Sequence, residues 1–144
     1  MIGVVACSKS KLAAPARAED LYTGRTFRGA VRLLRAWGCT RIVVLSALHG
    51  AVADDRVLAP YEHALADQGA DARRRWVLVA RAELSRLVCE LARTSDLAGV
   101  DVHAIVPAAY AAALDLLPTV TRHFAGLTQG HLFSAVKRAL AEVA

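Results

Sequence analysis

The side chains that could do chemistry cluster in a few short stretches. The first is "CSKSK" at residues 7–11, a cysteine with two serines and two lysines directly after an apolar run. The thiolate is the reactive form of cysteine, and an ammonium group such as that of Lys9 or Lys11 favours it. The same turn offers the hydroxyls of Ser8 and Ser10 and a run of backbone N–H groups, which suit a phosphate or carboxylate. Cys7 is therefore a nucleophile, part of an anion cradle, or simply the start of a basic surface turn.

Two further stretches supply acid–base groups. In "LSALHG", residues 45–50, Ser46 and His49 leave an apolar segment together and Gly50 provides a tight turn. A histidine there titrates near neutral pH and suits general acid–base work, although bonding a loop carbonyl is the commoner fate. "DDRVLAPYEHAL", residues 54–65, sets Asp54, Asp55, Tyr61, Glu62 and His63 in one loop-rich segment. Tyr61 after Pro60 is placed to stack on a planar base, and Asp54 or Glu62 is the candidate carboxylate. The alternative is an acidic surface loop with Tyr61 packed as a lid. "GLTQGHLF", residues 126–133, brackets Thr128 and Gln129 with glycines ahead of a helix, a geometry that can receive an anion.

These residues need elements to position them, and the apolar pattern supplies candidates. "IGVVA" at 2–6 and "RIVVLS" at 41–46 read as strands buried on both faces. "VDVHAIV" at 100–106 is a third, and "TVTRHFA" at 119–125 a weaker fourth. Between them, 25–37 reads as a helix stopped by Gly38, 71–93 as a long amphipathic helix, 108–117 as a shorter one and 131–143 as the last. Residues 47–71 read as an irregular loop, a length that is usually functional or hides short elements. The alternation predicts one three-layer α/β domain over residues 1–144, with a mainly parallel sheet of about four strands flanked by helices. Sites in such sheets lie beyond the carboxyl ends of the strands. Those ends are Cys7–Lys9, Ser46–Gly50, Pro107–Tyr110 and Gly126–Gly130, which brings Tyr110 and Gln129 into the same candidate cleft.

Composition narrows the class. The 144 residues are 56% hydrophobic and 22% charged, enough for a real core. A net charge of +5 favours anionic partners such as a nucleotide, nucleoside or nucleic acid, though no continuous basic tract appears. Cys7, Cys39 and Cys89 are odd in number and lack metal spacing, and there is no Walker A loop or GxGxxG. No metal and no cofactor is expected. The start "MIGVVACSK" lacks a signal-peptide pattern and no apolar run reaches membrane-spanning length, so a cytoplasmic protein is expected, with self-association left open.

The order "CSKSK…APAR…DLYTGRTFRGA…VVLSALHGAVADDRVLAPYEHAL" resembles the small bacterial and phage domains of the YaaA-like superfamily. Its first element is also similar to the Cys-Ser-x-x-Lys motif in the catalytic domain of archaeosine synthase, which modifies a deazaguanine base in tRNA. The likeness covers residues 4–65. It highlights Cys7, Ser8, Lys11, Tyr22, Ser46, Gly50, Pro60 and Tyr61, and implies a substrate built on a base and a sugar. Here Val5-Ala6 stands where archaeosine synthase has a proline, and Leu12-Ala13 replaces its Pro-Tyr.

Three functions follow as expectations. The leading one is a nucleobase-processing enzyme that hydrolyses an N-glycosidic bond, as a glycosidase or DNA-glycosylase does. Ser8, Lys9 and Lys11 would hold phosphate or sugar, Tyr61 the base, Asp54 or Glu62 would be the carboxylate, and His49 the acid or base. In a duplex the base must first be flipped out. The second makes Cys7 the nucleophile of a base or acyl transfer. The third is a non-catalytic nucleic-acid-binding module that relies on charge.

Overall fold

The computed structural model describes residues 1–143. A five-stranded sheet lies between two helical layers. Its strands are β1 (Ile2–Ala6), β3 (Arg41–Ser46), β4 (Gly50–Ala53), β6 (Val102–Ile105) and β7 (Val120–Arg122), in the order β4-β3-β1-β6-β7. β3, β1, β6 and β7 run parallel, and β4 is an antiparallel edge strand. A two-stranded antiparallel ribbon pairs β2 (Ala16–Arg17) with β5 (Val57–Leu58).

All five residues of β1 are buried, which is why it reads as a continuous apolar run rather than an alternating one. Val4 faces one helical layer with Val43, Leu45, Trp76 and Leu84, while Val5 faces the other with Phe27, Leu34, Ile105 and Val136. Helix α1 (Ala18–Leu21), helix α2 (Arg25–Ala36) and helix α4 (Gln129–Val143) cover this second face, and α3 (Ala70–Ala92) covers the first. A Cβ at Gly3 would lie 2.6 Å from Ile42 Cδ1 and 3.0 Å from Leu34 Cδ1, so the missing side chain lets α2 approach the sheet. Helix α2 stops because Gly38 takes φ +101°, a conformation that glycine alone adopts without strain. Leu33 and Leu34 inside it are fully buried, each worth about 1.5–3 kcal/mol over exposure.

The irregular segment expected at 47–71 is more ordered than its sequence suggests. After Ala47–His49 the chain turns back with Gly50 at φ +83° and forms β4, so the sheet has five strands rather than four. The hairpin was hidden because "GAVA" is built of small residues without β-branched alternation. A short 3-10 turn at Leu65–Asp67 follows, and another 3-10 segment, Ala108–Leu114, replaces the helix expected at 108–117. His103 on β6 and His123 just after β7 bond each other through Nδ1 and Nε2 at 2.9 Å. No described helix is long and apolar enough to cross a membrane.

Candidate functional site

The connections set where a ligand should sit. The chain leaves β1 for β3 on one side and later crosses to β6 on the other. The strand order therefore reverses between β1 and β6, and the crevice beyond their carboxyl ends is the favoured binding place in open α/β sheets. A cavity of about 730 Å³ opens there. Cys7–Lys11 form one wall, Glu62–Ala64 with Asp67 and Gln68 another, and Tyr110 a third.

Cys7 continues β1, its N–H donating to Leu45 O at 2.9 Å, so its position is fixed by the sheet. Its sulfur lies 3.5 Å from the Tyr110 hydroxyl and accepts from Ala47 N–H at 3.5 Å. Burial and the charge of Cys7 push the Tyr110 phenol well above its ordinary range. Tyr110 therefore stays protonated, and its hydroxyl can donate to the sulfur or accept from it. The turn that follows is internally braced: Ser8 Oγ donates to Ser10 O at 2.8 Å and accepts from Gly24 N–H at 3.0 Å. Lys11 Nζ donates to Lys9 O at 3.0 Å. Lys9 itself is exposed on the cavity wall.

Behind this wall runs a buried phenol–hydroxyl chain. The Tyr61 hydroxyl lies 2.7 Å from the Tyr22 hydroxyl and 2.7 Å from Ser46 Oγ, and Ser46 Oγ accepts from His49 N–H at 3.0 Å. Trp76 Nε1 donates to Ser46 O at 2.8 Å. Burial raises the Tyr22 phenol, and burial with the nearby Cys7 charge raises Tyr61 far above its ordinary value. The chain has three tyrosines, and all three are drawn into the neighbourhood of Cys7.

The expected site residues divide cleanly. Cys7, Ser8, Lys9, Lys11, Glu62 and Tyr110 line the cavity together. Tyr22, Ser46 and Tyr61 stand behind it in the hydroxyl chain. Tyr61 is not placed to stack on a base: Lys11 Nζ sits 4.4 Å from its ring centroid, Tyr22 and His49 meet it edge to face, and its hydroxyl points inward. His49 lies against Tyr61 and does not line the cavity; burial, then the charge of Arg56, lower its pKa. Gly50 is a buried hairpin residue whose Cβ would meet Val79 at 3.2 Å. Gln129 is exposed at the start of α4 and is not among the cavity residues.

Asp54 is the clearest correction. It follows β4, which runs antiparallel, and so lies at the amino end of the parallel strands, across the sheet from Cys7. Its carboxylate accepts from Arg41 Nη2 at 2.7 Å, Arg35 Nη2 at 3.3 Å and Ile42 N–H at 2.8 Å. Burial alone would raise its pKa, but the Arg41 guanidinium and the Ile42 N–H outweigh it and hold the carboxyl below its ordinary range. A carboxylate so engaged is a structural anchor, not a catalytic group facing the cleft. Asp67 and Gln68 were not expected at the site. Only the 3-10 turn before α3 brings them to the cavity, and nothing in their local spacing signals it.

The arrangement offers a thiol with two polar neighbours, two ammonium groups for an anion, and an imidazole and carboxylates on the facing wall. Among the described residues no group of three histidine, cysteine or acidic side chains is placed to hold a metal ion. No curated protein and no solved structure matches the chain. A family model does match, over residues 2–138, which takes in every strand, helices α1 to α3, α4 as far as Arg138, and the whole cavity wall. The chain belongs to DUF6884, a family of unknown function.

Proposed function

We propose that this chain is an enzyme that processes an anionic, nucleobase-bearing substrate in the cavity beyond β1 and β6, with Cys7 as the nucleophile of a base or acyl transfer. The observation that carries this reading is the setting of the Cys7 sulfur, which faces the Tyr110 hydroxyl and the Ala47 N–H at the mouth of a cavity shared with Lys9 and Lys11. In a transfer, the thiolate attacks the electrophilic carbon and a C–S bond forms as the bond to the leaving group breaks. The leaving group departs with its electron pair and takes a proton, for which His63 is on the facing wall. The acceptor then attacks the same carbon and releases the thiolate. Lys9 and Lys11 hold the anionic part. The likeness of "CSKSK" and the following segments to YaaA-like domains and to archaeosine synthase supports a base-bearing substrate.

Glu62, on the wall facing the lysines, favours a second reading: hydrolysis of an N-glycosidic bond. There the bond from sugar carbon to base nitrogen breaks with its electrons going to the base, which is protonated, and water adds to the sugar carbon. A carboxylate stabilises the oxocarbenium-like state between them.

Incubation with a panel of nucleotides and modified nucleic acids, followed by analysis of free base and of intact protein mass, separates the two. Covalent catalysis predicts a mass adduct on Cys7 and complete loss of turnover in Cys7→Ser. Retained turnover in Cys7→Ser with loss in Glu62→Gln establishes the hydrolytic reading instead. Turnover unchanged in both variants rejects both.

A further inference from the structure

The helices differ in how their positive charge is paired. Helix α2, "RTFRGAVRLLRA", carries four arginines and no acid, and α4 adds Lys137 and Arg138 against the single acid Glu142. Helix α3 on the other layer carries five arginines but also Asp71, Glu83 and Glu90, with Arg74 and Arg86 ion-paired to them. Arg25, Arg28 and Arg32 recur at i, i+3 and i+7, so they form one stripe, and all three are exposed. None of them, nor Lys137, has an ion-pair partner among the described residues, whereas Arg35 on the same helix is held by Glu19 and Asp54.

The stripe begins at the cavity. Gly24, which opens α2, donates its N–H to Ser8 Oγ, and Thr23 N–H donates to Ser10 O at 2.9 Å. Both serines line the cavity. Arg25 then lies over the Phe133 ring of α4 at 4.9 Å, and Lys137 is one turn further along that helix. From Arg25 to Arg32 the helix rises about 10 Å, the length of about three nucleotide steps in a stacked strand. Lys9, Lys11, Arg25, Arg28 and Arg32 thus form a track of cations that runs from the cavity down one side of the molecule.

We infer that the substrate is a nucleotide within a nucleic-acid strand rather than a free nucleotide, its reacting unit in the cavity and its neighbouring phosphates on Arg25, Arg28 and Arg32. The inference rests on the proposed function for what occupies the cavity, but the stripe makes its own prediction about binding. Phosphates neutralised by arginine release counterions, so affinity falls with salt in proportion to the number of contacts.

The test is fluorescence anisotropy of labelled single-stranded DNA and RNA oligonucleotides across a salt series. Arg28→Ala/Arg32→Ala removes two exposed cations without touching the core. The expected result is a loss of at least ~10-fold in oligonucleotide affinity at low salt, with the log–log salt slope shallower by about 1.4 for two lost contacts on a single strand. Mononucleotide binding should not change. An unchanged slope in the double variant, or binding of mononucleotide but no oligonucleotide, overturns the inference. So does tighter retention by anionic phospholipid vesicles than by either oligonucleotide, which would make the stripe a membrane patch. If the slope shifts as expected but no substrate turns over, the strand-binding surface stands and the proposed reaction falls.

Discussion

The two ends of the parallel sheet are both polar, yet they treat charge in opposite ways. At the amino end, Asp54 meets Arg41 and Arg35, Glu19 meets Arg35 and Arg17, and Asp55 meets Arg41. Charge there is answered by charge across secondary elements, and the Asp54 side chain is only 2% exposed. At the carboxyl end, Lys9 and Lys11 have no carboxylate partner among the described residues; Lys11 has a carbonyl and an aromatic ring, and both face a cavity. A saturated network spends its interactions on the fold, whereas an unsaturated one keeps them for something that arrives. The contrast explains why a carboxylate at one end anchors the structure while the carboxylates at the other remain available for chemistry.

Replacing Asp54 with alanine should have the largest effect on stability. It leaves Arg41 and Arg35 without their shared anion and Ile42 N–H without an acceptor. The cost should be about 2–3 kcal/mol, below that of a wholly buried pair because both arginines still reach water. Urea unfolding measures it. Activity per folded molecule should be retained, and a selective loss of activity at full stability would break the contrast by returning Asp54 to the site.

The same carboxylate sets an acid limit. Its folded pKa lies below the ordinary 3.8, so its contribution to stability is present above that value and is lost as pH falls through the folded one. Unfolding free energy should therefore drop more steeply below about pH 4 in the native protein than in Asp54→Asn, which has no such proton to take up. Parallel acid profiles for the two would remove the ion network from the account of the amino end.

How far the sequence discloses these ends differs for a physical reason. Strands β1, β3 and β6 and helices α2, α3 and α4 are legible because burial on one or both faces imposes a local pattern. β4 is not, since its small residues acquire strand geometry only by pairing with β3. That omission hides Asp54: in "DDR" it is indistinguishable from Asp55, yet the hairpin buries one and leaves the other 57% exposed. The carboxyl end is legible in outline, because the strand-end rule brings Cys7 and Tyr110 together across the chain. Tyr61 shows the limit of that rule. Its place in a loop after proline suggests an exposed stacking surface, while its hydroxyl bonds to Ser46 and Tyr22, from other segments, decide that it is an anchor.

Tyr61→Phe sharpens the contrast from the carboxyl end. It removes the hydroxyl 2.7 Å from both Ser46 Oγ and the Tyr22 hydroxyl and leaves the buried Tyr22 phenol only Ser46 nearby, at a cost of about 1–2 kcal/mol. The segment that carries Glu62 and His63 should loosen with it, seen as faster amide exchange over residues 61–64. Unchanged exchange there would mean that the facing wall is held by the Leu65–Asp67 turn and not by Tyr61.

The smallest expected effect falls on Cys7 itself. Tyr110→Phe keeps the ring against Trp76 and deletes only the hydroxyl 3.5 Å from the sulfur. The Ala47 N–H remains, so the sulfur loses one of its two polar neighbours. One weak hydrogen bond is worth about 0.5–1 kcal/mol, or a ~2- to 5-fold fall in the reaction rate of the sulfur. Alkylation by iodoacetamide reads this directly, in a Cys89→Ser background because Cys89 is half-buried while Cys39 is fully enclosed. A rate lowered ~2- to 5-fold in Tyr110→Phe assigns the phenol to the sulfur. An unchanged rate leaves Ala47 as the only donor that matters, and Tyr110 as a wall of the cavity.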